Sequence, residues 1–124
     1  MKLMLLLALG GMAGTLARFG LQGAVQAPAT TFPAGTLVVN VAGSFALGFL
    51  MRFLTGSLAV TPDVRAALTI GFCGAFTTMS TFAYETVTLL EGGELWRAAL
   101  YGVGSVGGSI IAVIAGLGVA GRLL

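Results

Sequence analysis

Apolar positions run almost unbroken along this chain, and a few charges cut them into four lengths. Leu3 to Ala17 is the first, with Arg18 near its end and an expected continuation to about Gln22. Ala34 to Met51 is the second, stopped by Arg52. Ala66 to Tyr84 is the third, 19 uncharged residues between Arg65 and Glu85, with an expected extension to Leu90. Ala98 to Gly121 is the fourth, bracketed by Arg97 and Arg122. A helix rises about 1.5 Å per residue against a hydrocarbon core of about 30 Å, so these lengths are expected to cross a bilayer. The expected spans are 3–22, 34–52, 64–90 and 96–122, in one four-span transmembrane domain covering residues 1–124. Residues 26–33, with Pro28 and Pro33, are expected to turn. Thr61 or Asp63 is placed to cap the third helix, and Glu91-Gly92-Gly93-Glu94 reads as a tight polar turn. Short links make neighbouring helices antiparallel.

Composition agrees with a membrane protein. The chain is 57% hydrophobic and 8% charged, against about 25% charged in soluble domains, and its mean hydropathy is +1.04. The net charge of +2 is scattered, which argues against nucleic acid; no soluble partner is implied either. With no His and one Cys, an intrachain disulfide and a Cys/His zinc site are excluded. Lys2 and the apolar run after it resemble a signal peptide, but the cleavage motif is weak, and the segment is read as a retained first span. Four helices of this length can hardly enclose a pathway, so a homo-oligomer in membrane lipid is expected. Four spans put both termini on one side, with Lys2, Arg52, Arg65 and Arg122, against Arg18 and Arg97 on the other. That basic excess is compatible with one orientation or with insertion both ways. Two opposed copies would recreate the inverted repeats that many transporters carry in one chain.

The third run has a polar centre. Its midpoint, Ala75, lies within Gly71-Phe72-Cys73-Gly74-Ala75-Phe76-Thr77-Thr78-Met79-Ser80-Thr81-Phe82. Gly71 and Gly74 weaken a helix through backbone entropy, and the hydroxyls after them compete for backbone groups. In hydrocarbon, a released carbonyl or amide needs protein, a cavity or an ion to satisfy it. Two readings stand: a helix broken beside an ion site or path, or a continuous polar helix whose glycines permit close packing.

The other polar groups fall on helix faces. Thr36, Asn40, Gly43 and Ser44 share one face of the second span. A buried amide without a partner costs about 1–3 kcal/mol, so Asn40 meets another helix or a ligand. Tyr101, Ser105 and Ser109 form a ladder at i+4 spacing on the fourth span, flanked by Gly104 and Gly108. Gly10 and Gly14 read as a packing seam in the first span; Arg18 either snorkels to the interface or attracts anions at a pathway mouth. Met79 and Phe82 share a face of the third span beside Thr78, Thr81 and Glu85. Packing explains such apolar residues, but a ring's electropositive edge also suits a poorly hydrated anion. Glu85 is a satisfied interfacial carboxylate or a group at a vestibule. Donors without a central charge argue against the small proton-coupled multidrug antiporters. No acid–base pair or activated nucleophile supports an enzyme.

Three segments carry a family resemblance: residues 71–82, Gly-Thr-Leu-Val-Val-Asn-Val-Ala-Gly-Ser-Phe at 35–45, and Gly-Gly-Met-Ala-Gly-Thr-Leu-Ala-Arg-Phe at 10–19. Together they resemble the signatures of the Fluc (CrcB) fluoride ion channels, over essentially the whole chain. The resemblance implies an all-α membrane protein with the third helix broken at mid-membrane, assembled as an antiparallel, dual-topology homodimer with two fluoride pores. It implies a structural Na+ at the dimer centre, held by the main-chain carbonyls of Gly74 and Thr77. Asn40, Phe82, Tyr101, Ser105 and Ser109 would line the fluoride pathway, with Arg18 favouring entry. Met79 stands where the family usually has Phe and offers no ring edge, so conduction is expected to persist with altered rate or affinity. The implied function is passive fluoride export across the inner (plasma) membrane, conferring fluoride resistance. A cation-coupled exporter and a non-transporting membrane scaffold are the alternatives.

Overall fold

The computed structural model describes residues 1–57 and 59–124, and the described residues are helical with no strands. Helix α1 covers Lys2–Val25 and α2 covers Ala34–Gly56. The third crossing has two parts. Helix α3 spans residues 62–76: α-helical at Pro62–Ala66, wound with the wider i→i+5 spacing over Ala67–Cys73, and α-helical again at Gly74–Phe76. Thr77 and Thr78 are then extended, and α4 covers Met79–Glu91. Helix α5 covers Leu95–Leu123. Four crossings, counting Pro62–Glu91 as one, are long and apolar enough to span a membrane, making this a multi-pass membrane protein.

Sequence explains the ends. Helix α1 continues to Val25, beyond Gln22, because the next proline is Pro28. Thr61 rather than Asp63 caps α3, its side chain accepting from the Val64 amide at 3.4 Å, with Pro62 in the first turn. Gly93 closes the α4–α5 turn with φ 75°, a left-handed conformation that glycine adopts without strain. The start of α2 is tied back by Gln26, whose amide donates to Phe32 O and accepts from Gly35 N, both at 3.1 Å.

Two helix pairs form the frame, α2 against α5 and α1 against α3. In each, glycine lets backbones meet. A β-carbon at Gly10 or Gly14 would collide with the carbonyls of Ala67 or Phe72, and one at Gly71 would sit 2.8 Å from Leu7 O. Between α2 and α5 the close approaches are Gly48 on Val113 and Gly116 on Phe45. Gly104 faces open space and Gly108 meets only the Val41 side chain. In lipid, such packing contacts hold helices together. In α1 only Gly14 is buried, whereas the third crossing buries Ala67, Gly71, Cys73, Phe76, Thr78 and Leu89, so α1 is peripheral and the two-part crossing central.

Replacing Gly14 with Val is expected to cost about 1–3 kcal/mol through forced separation of α1 and α3, read as a lowered unfolding midpoint in detergent. Gly20→Ala, where nothing lies within 4 Å of the new methyl, is expected to hold or slightly raise that midpoint.

Candidate functional site

The two extended residues between α3 and α4 depend on a residue 38 positions earlier. In a continuous helix the Thr78 amide would bond to Gly74 C=O. Instead it donates to Asn40 Oδ1 at 2.7 Å, while Asn40 Nδ2 donates to Thr78 O at 3.1 Å. One side-chain amide thus pairs with both backbone groups of one residue, as a neighbouring strand would. Thr77 turns back, its amide and hydroxyl both donating to Cys73 O at 3.1 and 3.0 Å. Thr78 also caps α4: its hydroxyl accepts from the Thr81 amide at 3.2 Å and donates to Thr81 Oγ1 at 2.9 Å. Arg18 reaches inward from α1, donating through Nη1 to Thr77 O at 3.4 Å.

The consequence is local polarity. Helix α3 ends with carbonyls lacking helical partners, Gly74 among them. Helix α4 begins a few residues away with amides that have no helical partner, that of Thr81 capped by Thr78, and with the positive end of its dipole. Cation-attracting and anion-attracting backbone therefore lie side by side.

Beside this junction runs a groove of about 390 Å³ between α2, α3, α4 and α5. It brings together Asn40, Met79, Phe82, Ser105 and Ser109, with Gly74 and Thr77. Ser105 is the informative member. Thr55, Thr69, Thr77, Thr86 and Thr88 each donate to the carbonyl four residues back. The Ser105 hydroxyl is buried and has no partner among the described residues. Met79 is exposed on the rim, 73% accessible.

Tyr101 and Arg18 are not in the groove lining. Tyr101 is fully buried behind it, its ring against Phe82 (centroids 5.1 Å) and edge-on to Phe32 (5.8 Å). Its hydroxyl donates to Glu85 Oε2 at 2.6 Å. Thr36, 1% exposed, donates to Glu85 Oε1 at 2.9 Å and accepts from Gln22 Nε2 at 2.8 Å. Both carboxylate oxygens therefore hold hydroxyl donors. Thr36 and Glu85 are noticeable in the sequence as polar residues on apolar faces; nothing in the pattern singles out Gln22. Among the described residues no three His, Cys, Asp or Glu converge.

A four-crossing frame around an uncharged, donor-bearing groove defines a membrane protein equipped to pass or hold a small ion. The profile of the family described as "CrcB-like protein, Camphor Resistance (CrcB)" matches residues 5–117, and the chain belongs to that family. Among its relatives, a protein of Nitratidesulfovibrio vulgaris is 43% identical over 125 residues, covering 100% of both chains. One from Geobacter sulfurreducens is 43% identical over 124 residues, covering 99% of this chain and 100% of its own. One from Chlorobium phaeobacteroides is 41% identical over 114 residues, covering 92% and 89%. Each of the three is named fluoride-specific ion channel FluC.

Removing both Asn40 hydrogen bonds with Asn40→Val leaves two buried backbone groups unpaired, at about 1–3 kcal/mol each. The expected loss of stability is therefore about 2–6 kcal/mol, measured by denaturant unfolding in micelles. Asn40→Asp still accepts from the Thr78 amide but turns a carboxylate oxygen on Thr78 O, and is expected to lose at least as much.

Proposed function

We propose that the chain is a passive fluoride-selective channel that lets F- leave the cytoplasm across the inner (plasma) membrane. The observation that carries this is the buried Ser105 hydroxyl without a protein partner, on the same groove as Asn40 and Phe82. Full-length similarity to proteins named fluoride-specific channels supplies the ion. Fluoride is small and holds its water tightly, so a pore must replace that water stepwise with donors that release the ion again. In this reading Ser105 and Ser109 donate hydroxyls, the Phe82 ring edge adds a positive rim, and α4 offers amide groups at its start. Asn40 acts by holding the amide-bearing junction in place. The Glu85 carboxylate resembles an anion already seated on the Thr36 and Tyr101 hydroxyls, and passage through that end requires fluoride to take its place. Met79 fills the rim without a ring edge, which is expected to alter rate or affinity rather than abolish conduction.

In the same reading the working unit is an antiparallel homodimer. Gly74 is exposed and a β-carbon there would meet nothing within 4 Å, which suits close approach by a second copy. The carbonyls of Gly74 and Thr77 fit a hard cation such as Na+ in type but not in number: one chain offers two, and a second copy would double them. Bound there, Na+ would neutralise the carbonyl ends of α3 and join the copies. The Arg18 guanidinium on Thr77 O already supplies positive charge to one of these carbonyls. Because Arg18 reaches inward, the loop cations divide as Lys2, Arg52, Arg65 and Arg122 against Arg97. Antiparallel pairing therefore requires half the copies to insert against that excess.

Purified protein in liposomes is expected to release fluoride, read by a fluoride electrode, with no proton or sodium gradient and with chloride retained. Asn40→Asp is expected to cut flux at least tenfold, because a fixed negative charge repels the ion. Flux compared at equal amounts of folded protein separates the pathway from the fold. Flux that depends on a cation gradient would support an exporter instead, and absence of flux a scaffold.

A further inference from the structure

The Thr36–Glu85–Tyr101 cluster has a fourth member, on a helix that otherwise stays peripheral. Gln22 lies one turn beyond Arg18 on α1 and is half-buried. Its Nε2 donates to Thr36 Oγ1 at 2.8 Å. The contact is built in by Gly35: a β-carbon there would sit 2.7 Å from the Gln22 carbonyl oxygen and 2.9 Å from its Cγ. Glycine thus lets the Gln22 stem lie flat against α2.

A hydroxyl carries one proton and two lone pairs, and its proton turns to whichever acceptor is best placed. For a helical threonine the default acceptor is the carbonyl four residues back, as five other threonines of this chain illustrate. For Thr36 that carbonyl belongs to Phe32, and it already accepts from Gln26 Nε2 at 3.1 Å and from the Ala34 amide at 2.9 Å. Gln22 meanwhile fills a Thr36 lone pair with an N–H. The Thr36 proton is directed to Glu85 Oε1, at 2.9 Å, a charged acceptor stronger than the neighbouring Tyr101 hydroxyl oxygen. Accepting one hydrogen bond also strengthens the hydroxyl as a donor in the next.

We propose that Gln22 is a positioning residue for anion passage. Its N–H fixes the Thr36 proton on the Glu85 side, so the hydroxyl stands ready to donate to a fluoride that replaces the carboxylate. This role rests on the channel function proposed for the chain.

The test is fluoride efflux from liposomes over a range of fluoride concentrations, for wild type, Gln22→Glu, Gln22→Leu, Thr36→Val and the Gln22→Leu/Thr36→Val pair. Gln22→Glu keeps the shape but presents an acceptor, drawing the Thr36 proton away from Glu85. It is expected to raise the half-saturating fluoride concentration roughly tenfold, and Gln22→Leu roughly threefold, with maximal flux changed less than about twofold. In the Thr36→Val background, Gln22→Leu is expected to add nothing, because the hydroxyl through which it acts is gone. Three results would overturn the role: a larger effect of Gln22→Leu than of the isosteric Gln22→Glu, an equal effect of Gln22→Leu in both Thr36 backgrounds, or unchanged half-saturation. If wild type conducts fluoride, any of these removes Gln22 alone; if wild type does not, the channel function falls and this role with it.

Discussion

A backbone amide and carbonyl inside an apolar slab must be paired, and at Thr78 both are paired by one side chain. A continuous helix would satisfy the amide within itself; Asn40 offers an alternative of comparable strength. Because the amide donates to Asn40 Oδ1, it is withdrawn from Gly74, and the third crossing divides into α3 and α4. The two extended residues, the cap formed by Thr78 and the free carbonyls ending α3 all follow from that exchange.

The division adds backbone dipoles to an interior whose groove is lined by uncharged residues. Spans without a central ionisable group have little to offer an ion except dipoles, and dipoles matter where backbone groups are left over. Carbonyls of α3 and amides of α4 provide both signs within a few residues. Around them the hydroxyls fall into two kinds. Five threonines give their proton to the carbonyl four residues back, whereas the Ser105 hydroxyl has no partner among the described residues and Thr36 and Tyr101 direct theirs to Glu85. The rigid frame comes from glycine-mediated crossings such as Gly14 on Phe72 and Gly116 on Phe45. That frame keeps the hydroxyls in fixed relation.

Much of this was legible in the sequence, to the extent that it depended on local pattern. Charge spacing located the four crossings. The Gly10/Gly14 seam was readable because small residues one turn apart have few other uses in an apolar helix. Gly104 and Gly108 share that spacing yet face open space or one side chain, since spacing tells where small residues stand but not which face meets a neighbour. Gly71 reads as a helix weakener, but its role is close contact with Leu7, and the extended residues lie later, at Thr77 and Thr78. Their partner is 38 residues away, beyond any local signal. Tyr101 matches the serine ladder by period, yet its ring fills the space between Phe32 and Phe82 and its hydroxyl leaves the ladder for Glu85.

The withdrawal of the Thr78 amide from Gly74 can be read from one vibrational label. A single 13C=18O carbonyl at Gly74, in protein reconstituted in lipid, is predicted to absorb away from the same label at Leu47 in the regular interior of α2. A Gly74 band coincident with the Leu47 band would mean that the carbonyl keeps its helical partner. The central role of Asn40 would then be contradicted.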